Sequence, residues 1–292
     1  MLLTQVCSIW RAIALTSPRI WARLHITLPG NPTVSSDFGT LSGGALAQRH
    51  RVFLKVIELR CRAVKDWLTR SGTCPLSISI HCPLGYYLEP EIIDDSDSGN
   101  LREVHDVTEP LFRLIASSSP RWKAIDLSMP FYICKKLESQ VSQDILPLLQ
   151  SFKARVDWDR TVIQDTGYLP TRFLEAPNLQ QLSLNSPLPK EKTAMFPLIW
   201  GRLTDLHIQT TLFEVDFFNI IQLCHNLVTC QINDIEPWER QEFHTEVIVP
   251  KLEMMKIETR GVLHVLRAIN APCLKSLKYK FNPTSITLMD PS

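Results

Sequence analysis

Glycine is scarce in this chain, ten in 292 residues, and none builds a phosphate-binding loop. Neither G-x-G-x-x-G nor G-x-x-x-x-G-K-S/T occurs, so the backbone cradles of nucleotide-binding folds are missing. The G-x-S-x-G nucleophile elbow of α/β-hydrolases is missing too. The eight histidines show neither H-E-x-x-H nor H-x₃₋₅-H spacing, and no two of the eight cysteines form C-x-x-C. Cys224-His225 is the nearest approach to a metal pair and lacks further ligands at the required spacing. Asp95-Ser96-Asp97-Ser98-Gly99 lacks a third ligand before the glycine and a glutamate six residues beyond it. It reads as a solvated acidic loop rather than a calcium site. No catalytic, cofactor-binding or metal-ligating residue is therefore assigned, and an enzyme is not expected.

Excess charge of one sign is lacking as well. The net charge is +1, which gives the whole molecule no bias toward nucleic acid or an anionic membrane. No apolar run approaches the roughly 18 residues that span a bilayer. Gln5 and Arg11 interrupt the apolar start, so a signal peptide is not expected. The cysteines are scattered, and several stand where leucine would also fit. A reducing compartment, cytoplasm or nucleus, is the simpler reading. At 45% hydrophobic and 21% charged, the composition is that of a globular protein with a sizeable core.

What the chain does contain is a repeated phrase, x-L-x-x-L-x-L, often opened by proline. It reads Pro177-Asn178-Leu179-Gln180-Gln181-Leu182-Ser183-Leu184. It returns at Leu203/Leu206/Ile208, Leu227/Cys230/Ile232, Leu252/Met255/Ile257 and Leu274/Leu277/Tyr279. From Leu179 the copies start 24, 24, 25 and 22 residues apart. An earlier copy spans Pro120–Leu127, and a looser one uses Pro147, Leu149, Phe152 and Ala154. This period lies in the leucine-rich-repeat range, in which each unit is a strand with a helical or irregular return. One unit cannot bury its own apolar face, so units must stack. The expected fold is α/β: a solenoid of parallel strands over 46–292, a loop or linker over 29–45, and a small helical block over 1–28.

The returns have helical period where they are clearest. Phe217, Ile220, Ile221 and Cys224 form one stripe, and Val262, Val265, Leu266 and Ile269 form another, with Thr259 as its cap. Phe53, Val56, Ile57, Val64, Trp67 and Leu68 predict a longer helix ending before Gly72. Its other face is basic between Arg49 and Arg70. Residues 83–109 are acidic, and the expectation is that the two segments offset each other rather than bind nucleic acid or lipid.

The first block carries two further words. Val6-Cys7-Ser8-Ile9-Trp10-Arg11-Ala12-Ile13-Ala14 is followed by Pro18-Arg19-Ile20-Trp21-Ala22-Arg23-Leu24. This block resembles the C-terminal half of an F-box, with V-C-x-x-W-R-x-I-A, a short gap and P-x-L-W, Ile20 standing where leucine is usual. Asp66–Ile78 holds W-L-x-R-S-G-x-C-P-L, as in the repeat region of fungal F-box proteins. The L-P-x-E-I-L-like helix that opens an F-box has no counterpart in these residues, so the F-box is expected to be incomplete. The resemblance implies binding to the Skp-type adaptor of a cullin–RING ubiquitin ligase, with Val6, Cys7, Trp10, Ile13, Pro18 and Trp21 building the adaptor-binding module.

A target would then meet the residues between the repeat leucines, because strand side chains alternate between faces. These are Gln181, Ser183 and Asn185; Asp205, His207 and Gln209; Thr229, Gln231 and Asn233; Met254, Lys256 and Glu258; and Ser276, Lys278 and Lys280. The face is expected to be polar in the middle and basic at its C-terminal end, suited to an acidic or phosphorylated segment. The alternative reading is a leucine-rich-repeat scaffold whose F-box remnant only caps the first repeat. Trp10 would then be core, and its truncation would cost about 3–5 kcal/mol.

Overall fold

The computed structural model describes residues 7–30, 43–82, 108–141, 146–157, 171–185, 199–237, 245–260 and 263–281. The chain is mixed α/β, with parallel strands joined by helical returns. It divides into two compact units, Met1–Leu149 with Arg155–Thr161, and Gln150–Ala154 with Val162–Ser292. Among the described residues no helix is long and apolar enough to cross a membrane.

The first unit begins with helix α1, Ser8–Thr16. Cys7 caps it: the Trp10 backbone N–H donates to Cys7 Sγ at 3.5 Å, meeting one of the donors that a helix start leaves over. Proline sets the next turn, a 3₁₀ helix over Pro18–Trp21. Strand β1, Arg23–Thr27, alternates exposed and buried residues as Leu24-His25-Ile26 predicts. Helix α2, Gly43–Arg70, starts inside the loop expected over 29–45. Its stripe of Phe53, Ile57 and Val64 is buried. Gly72 follows at φ +54°, the left-handed conformation that ends helices and favours glycine.

Strand β2, Leu76–His81, pairs parallel with β1, and β3, Trp122–Pro130, pairs parallel with β2. A helical segment, 108–116, precedes β3 and buries Leu111 and Ile115. Helix α3, Phe131–Gln140, follows it. Arg121 ties the turn after α2 to the start of β3, donating to Ser71 Oγ at 2.7 Å and to the Cys74 carbonyl at 3.0 and 3.1 Å.

The boundary between units falls within β4, Ser151–Asp157. The second unit continues with β5 (Gln181–Asn185), β6 (Asp205–Phe213), helix α4 (Glu214–Leu223), β7 (Thr229–Glu236), β8 (Val247–Ile248), β9 (Met254–Thr259), β10 (Ile269–Asn270) and β11 (Ser276–Phe281). Strands β5, β6, β7, β9 and β11 lie side by side in parallel, while β8 and β10 pair separately.

One hydrogen-bond pattern recurs before each strand. The Gln150 carbonyl accepts the N–H groups of Gln180 and Gln181, and Gln180 accepts those of Thr204 and Asp205. Thr204 in turn accepts Val228 and Thr229, Val228 accepts Glu253 and Met254, and Glu253 accepts Lys275 and Ser276. Each carbonyl holds two donors of the next copy of the phrase, so the sequence period becomes a fixed stacking offset. The phrase residues form apolar rows: Leu182, Leu206, Cys230, Met255 and Leu277 are register neighbours, as are Leu184, Ile208, Ile232, Ile257 and Tyr279. All are buried except those of β11, where Leu277, Tyr279 and Phe281 are exposed.

The stripe on α4 is buried as expected, at Phe217, Ile220, Ile221 and Cys224. The second return is a correction. It is a single 3₁₀ turn, Val265–Ala268, and Ile269 leaves it to pair with Val247 in β10. Thr259 is not its cap, since it lies in β9 and donates to the Ile235 carbonyl at 2.9 Å. The cap is the buried carboxylate of Glu214, which accepts the Val265 N–H at 2.6 Å. All eight cysteines are free, and Cys82, Cys134, Cys224 and Cys230 are buried. Burial pushes the Cys224 thiol up to about 12 and raises Cys134 and Cys230 as well, so these behave as small hydrophobes.

Candidate functional site

Two surfaces collect the residues that the sequence singles out. The first is α1 and its turn. Trp21 points inward and is 3% exposed; its indole N–H donates to the Ala14 carbonyl at 2.6 Å. The Trp67 ring meets it edge-on with centroids 4.8 Å apart, and the Arg70 guanidinium lies 4.7 Å from its centroid. Both contacts add to the area term that holds the block against α2.

The remaining apolar residues of α1 turn the other way. Ile9 is 69% exposed, Trp10 52% and Ile13 47%. Trp10 is therefore not core, and the expected 3–5 kcal/mol for its truncation does not apply. Of the stripe, only Ala14 is buried. A period of three and four aligns side chains but does not supply a surface to cover them. Cys7 serves as cap and Pro18 opens the exposed 3₁₀ turn, while Val6 lies outside the described residues.

The second surface is the polar face of β5–β11. Register places Ser183, His207, Gln231, Lys256 and Lys278 in one row across five strands. Gln181, Asp205, Thr229, Met254 and Ser276 form the row below it. The expected third row is interrupted, because the β6–β7 register shifts after Ile208 and Ile232. Gln209 instead turns to His207, its Nε2 lying 3.4 Å from the imidazole Nδ1, and Gln231 Nε2 donates to Asn233 Oδ1 at 3.1 Å. Thr211 Oγ1 donates to Asp234 Oδ2 at 2.6 Å, and the same oxygen accepts from Arg260 at 2.7 Å.

At the C-terminal end Lys256, Lys278 and Lys280 outnumber Glu258, and part of that positive charge is compensated within the face. Glu258 stands between Lys256 and Lys280, with each ammonium 3.2 Å from one of its carboxylate oxygens. Its pKa is lowered, first by the Lys256 hydrogen bond and then by that of Lys280. The linear pattern could not show the Lys280 pair, because it joins residues 22 apart across neighbouring strands. His207 sits at the centre of its row, 3.5 Å from Ser183 Oγ. Desolvation lowers its pKa from 6.5; the hydrogen bond that the imidazole donates to the Asn233 side chain opposes this, and the charges of Lys256 and Lys153 add to the lowering. The centre of the face is therefore neutral and hydrogen-bonding rather than cationic.

Among the described residues no three His, Cys, Asp or Glu side chains gather as metal ligands would. No family model matches this chain, and no curated protein or solved structure matches it either.

Proposed function

We propose that this chain is a non-catalytic recognition subunit of a cullin–RING ubiquitin ligase, built as an F-box-like block followed by a leucine-rich-repeat solenoid. The α1 block would dock a Skp-type adaptor. The polar rows of β5–β11 would hold a target protein for ubiquitin transfer by other subunits. One observation carries the reading: of the residues that give the block its F-box wording, Trp21 is a buried anchor while Trp10 and Ile13 turn outward and form an exposed cluster with Ile9. A contiguous apolar cluster left in water on a short helix suits a partner helix laid across it. The stacked carbonyl ladder supports the solenoid, since it ties each repeat to the next.

The target class follows from the face as folded. Hydrogen-bonding groups at Ser183, His207 and Gln231 lead to a lysine–glutamate–lysine cluster, so the face suits a polar segment carrying both signs of charge. A cytoplasmic or nuclear setting fits four free, buried cysteines.

Co-purification with a Skp-type adaptor tests the reading. The wild-type chain should retain adaptor, and Trp10→Ala with Ile13→Ala should release it while leaving the thermal midpoint in place. Equal retention by wild type and double variant, or none by wild type, would overturn the ligase role and leave a repeat scaffold.

A further inference from the structure

Among the described residues strand β1 has a partner on one side only. It ends the strand order of its unit, paired with β2. Ser77 N–H donates to the Ala22 carbonyl, and Leu28 N–H donates to the His81 carbonyl. In a parallel ladder alternate residues turn toward the neighbour, so residues 22, 24, 26 and 28 face β2. Arg23, His25 and Thr27 therefore direct their backbone N–H and C=O groups outward, where no described strand lies. An open row of this kind is a template for a further strand.

A groove of about 350 Å³ runs along this strand, lined by Leu24–Thr27 and by Arg60, Ala63, Val64 and Trp67 of α2. Its α2 wall is apolar at Ala63, Val64 and the Trp67 ring. The Trp67 indole N–H is buried and has no hydrogen-bond partner among the described residues, so the wall holds a donor without its acceptor. The surroundings are cationic: α2 carries seven Arg and Lys between residues 49 and 70 against Glu58 and Asp66, Glu58 is engaged by Arg62, and residues 83–107, most of the acidic segment expected to offset this face, lie outside the described residues.

We infer that β1 and α2 form an acceptor site for an extended acidic segment of a partner protein. The segment adds to the sheet as a strand, using the outward groups of Arg23, His25 and Thr27. Its alternate apolar side chains enter the groove, and its acidic side chains meet Arg60 and the basic face of α2. Main-chain pairing supplies the attachment and the alternation supplies the selectivity. A second copy of this chain is the poorer occupant, because β1 against β1 brings Arg23 and Arg60 of both copies together. The site is separate from α1 and from the polar rows, and it stands whether or not the ligase reading does.

The test uses the whole chain and fluorescent peptides of about six residues, alternating valine with aspartate or valine with lysine. Anisotropy should show binding of the aspartate peptide, at least about tenfold tighter than the lysine peptide. His25→Pro removes an outward N–H and leaves the β2 ladder intact, as edge strands allow. It should abolish binding without lowering the thermal midpoint. Arg60→Glu should reverse the preference between peptides. An aspartate peptide N-methylated at alternate residues tests the pairing without altering the protein, and it should not bind. Failure of the aspartate peptide to bind, or equal binding of the N-methylated one, would overturn the inference. So would a dimer in sedimentation that His25→Pro dissolves, which would assign the edge to a second copy.

Discussion

The carboxylate of Glu214 accepts the backbone N–H of Val265 at 2.6 Å, across 51 residues of sequence. Glu214 opens α4 and is fully buried, so one helix start fixes where the last return begins. Glu214→Ala leaves a buried donor unmet and should destabilise the second unit by about 1–3 kcal/mol. Glu214→Gln keeps an acceptor and should recover much of the loss. Urea denaturation of the two variants beside wild type measures the difference, and equal midpoints would show that the bond contributes nothing.

Trp21 and Trp10 should behave oppositely. Trp21→Ala removes a buried ring, its bond to Ala14 and its contacts with Trp67 and Arg70, and should cost about 3–5 kcal/mol. Trp10→Ala removes a half-exposed ring and should cost within about 1 kcal/mol. Chemical denaturation compares them, and a large loss for Trp10 would place that residue in a core that the structure does not give it.

Gly201 packs closely against the exposed His225 ring. A Cβ there would lie 2.5 Å from the His225 ring, so Gly201→Ala should lower the thermal midpoint. His225→Ala should relieve the clash. In a double-mutant cycle the pair should lose less than the sum of the single changes, and strict additivity would show that the ring simply moves aside.

His207 sets a pH dependence. Its folded pKa is lowered below 6.5, so below that value the unfolded chain binds a proton that the folded state resists. Stability should therefore fall as pH drops through about 6.5 and level off once the folded imidazole is protonated as well. His207→Gln should remove this component and match wild type near pH 8. Thermal melts across the range test the sign, and an imidazole titrating above 6.5 by NMR would reverse it.

Much of the fold was legible in the phrase x-L-x-x-L-x-L. Alternation within each copy identifies buried and outward positions as far as β9, the apolar positions of β11 being exposed, and a near-constant spacing stacks those positions into rows. Ser183, His207, Gln231, Lys256 and Lys278 accordingly fall side by side. The third row was not legible, because the register shift after Ile208 arises in pairing between strands and leaves no mark within one copy. The β1 edge was also hidden, since an open edge is defined by the neighbour that a strand lacks.

From sequence alone came the strands of the long parallel sheet and the helical character of α1, α2 and α4, because these follow from local periodicity and a repeat that each neighbour must satisfy. Tertiary structure decided which apolar residues are covered. Ala14 and Trp21 pack inward while Ile9, Trp10 and Ile13 do not, and Glu258 divides itself between two lysines. Periodicity aligns side chains along one element, but burial and charge pairing depend on what a second element brings against them.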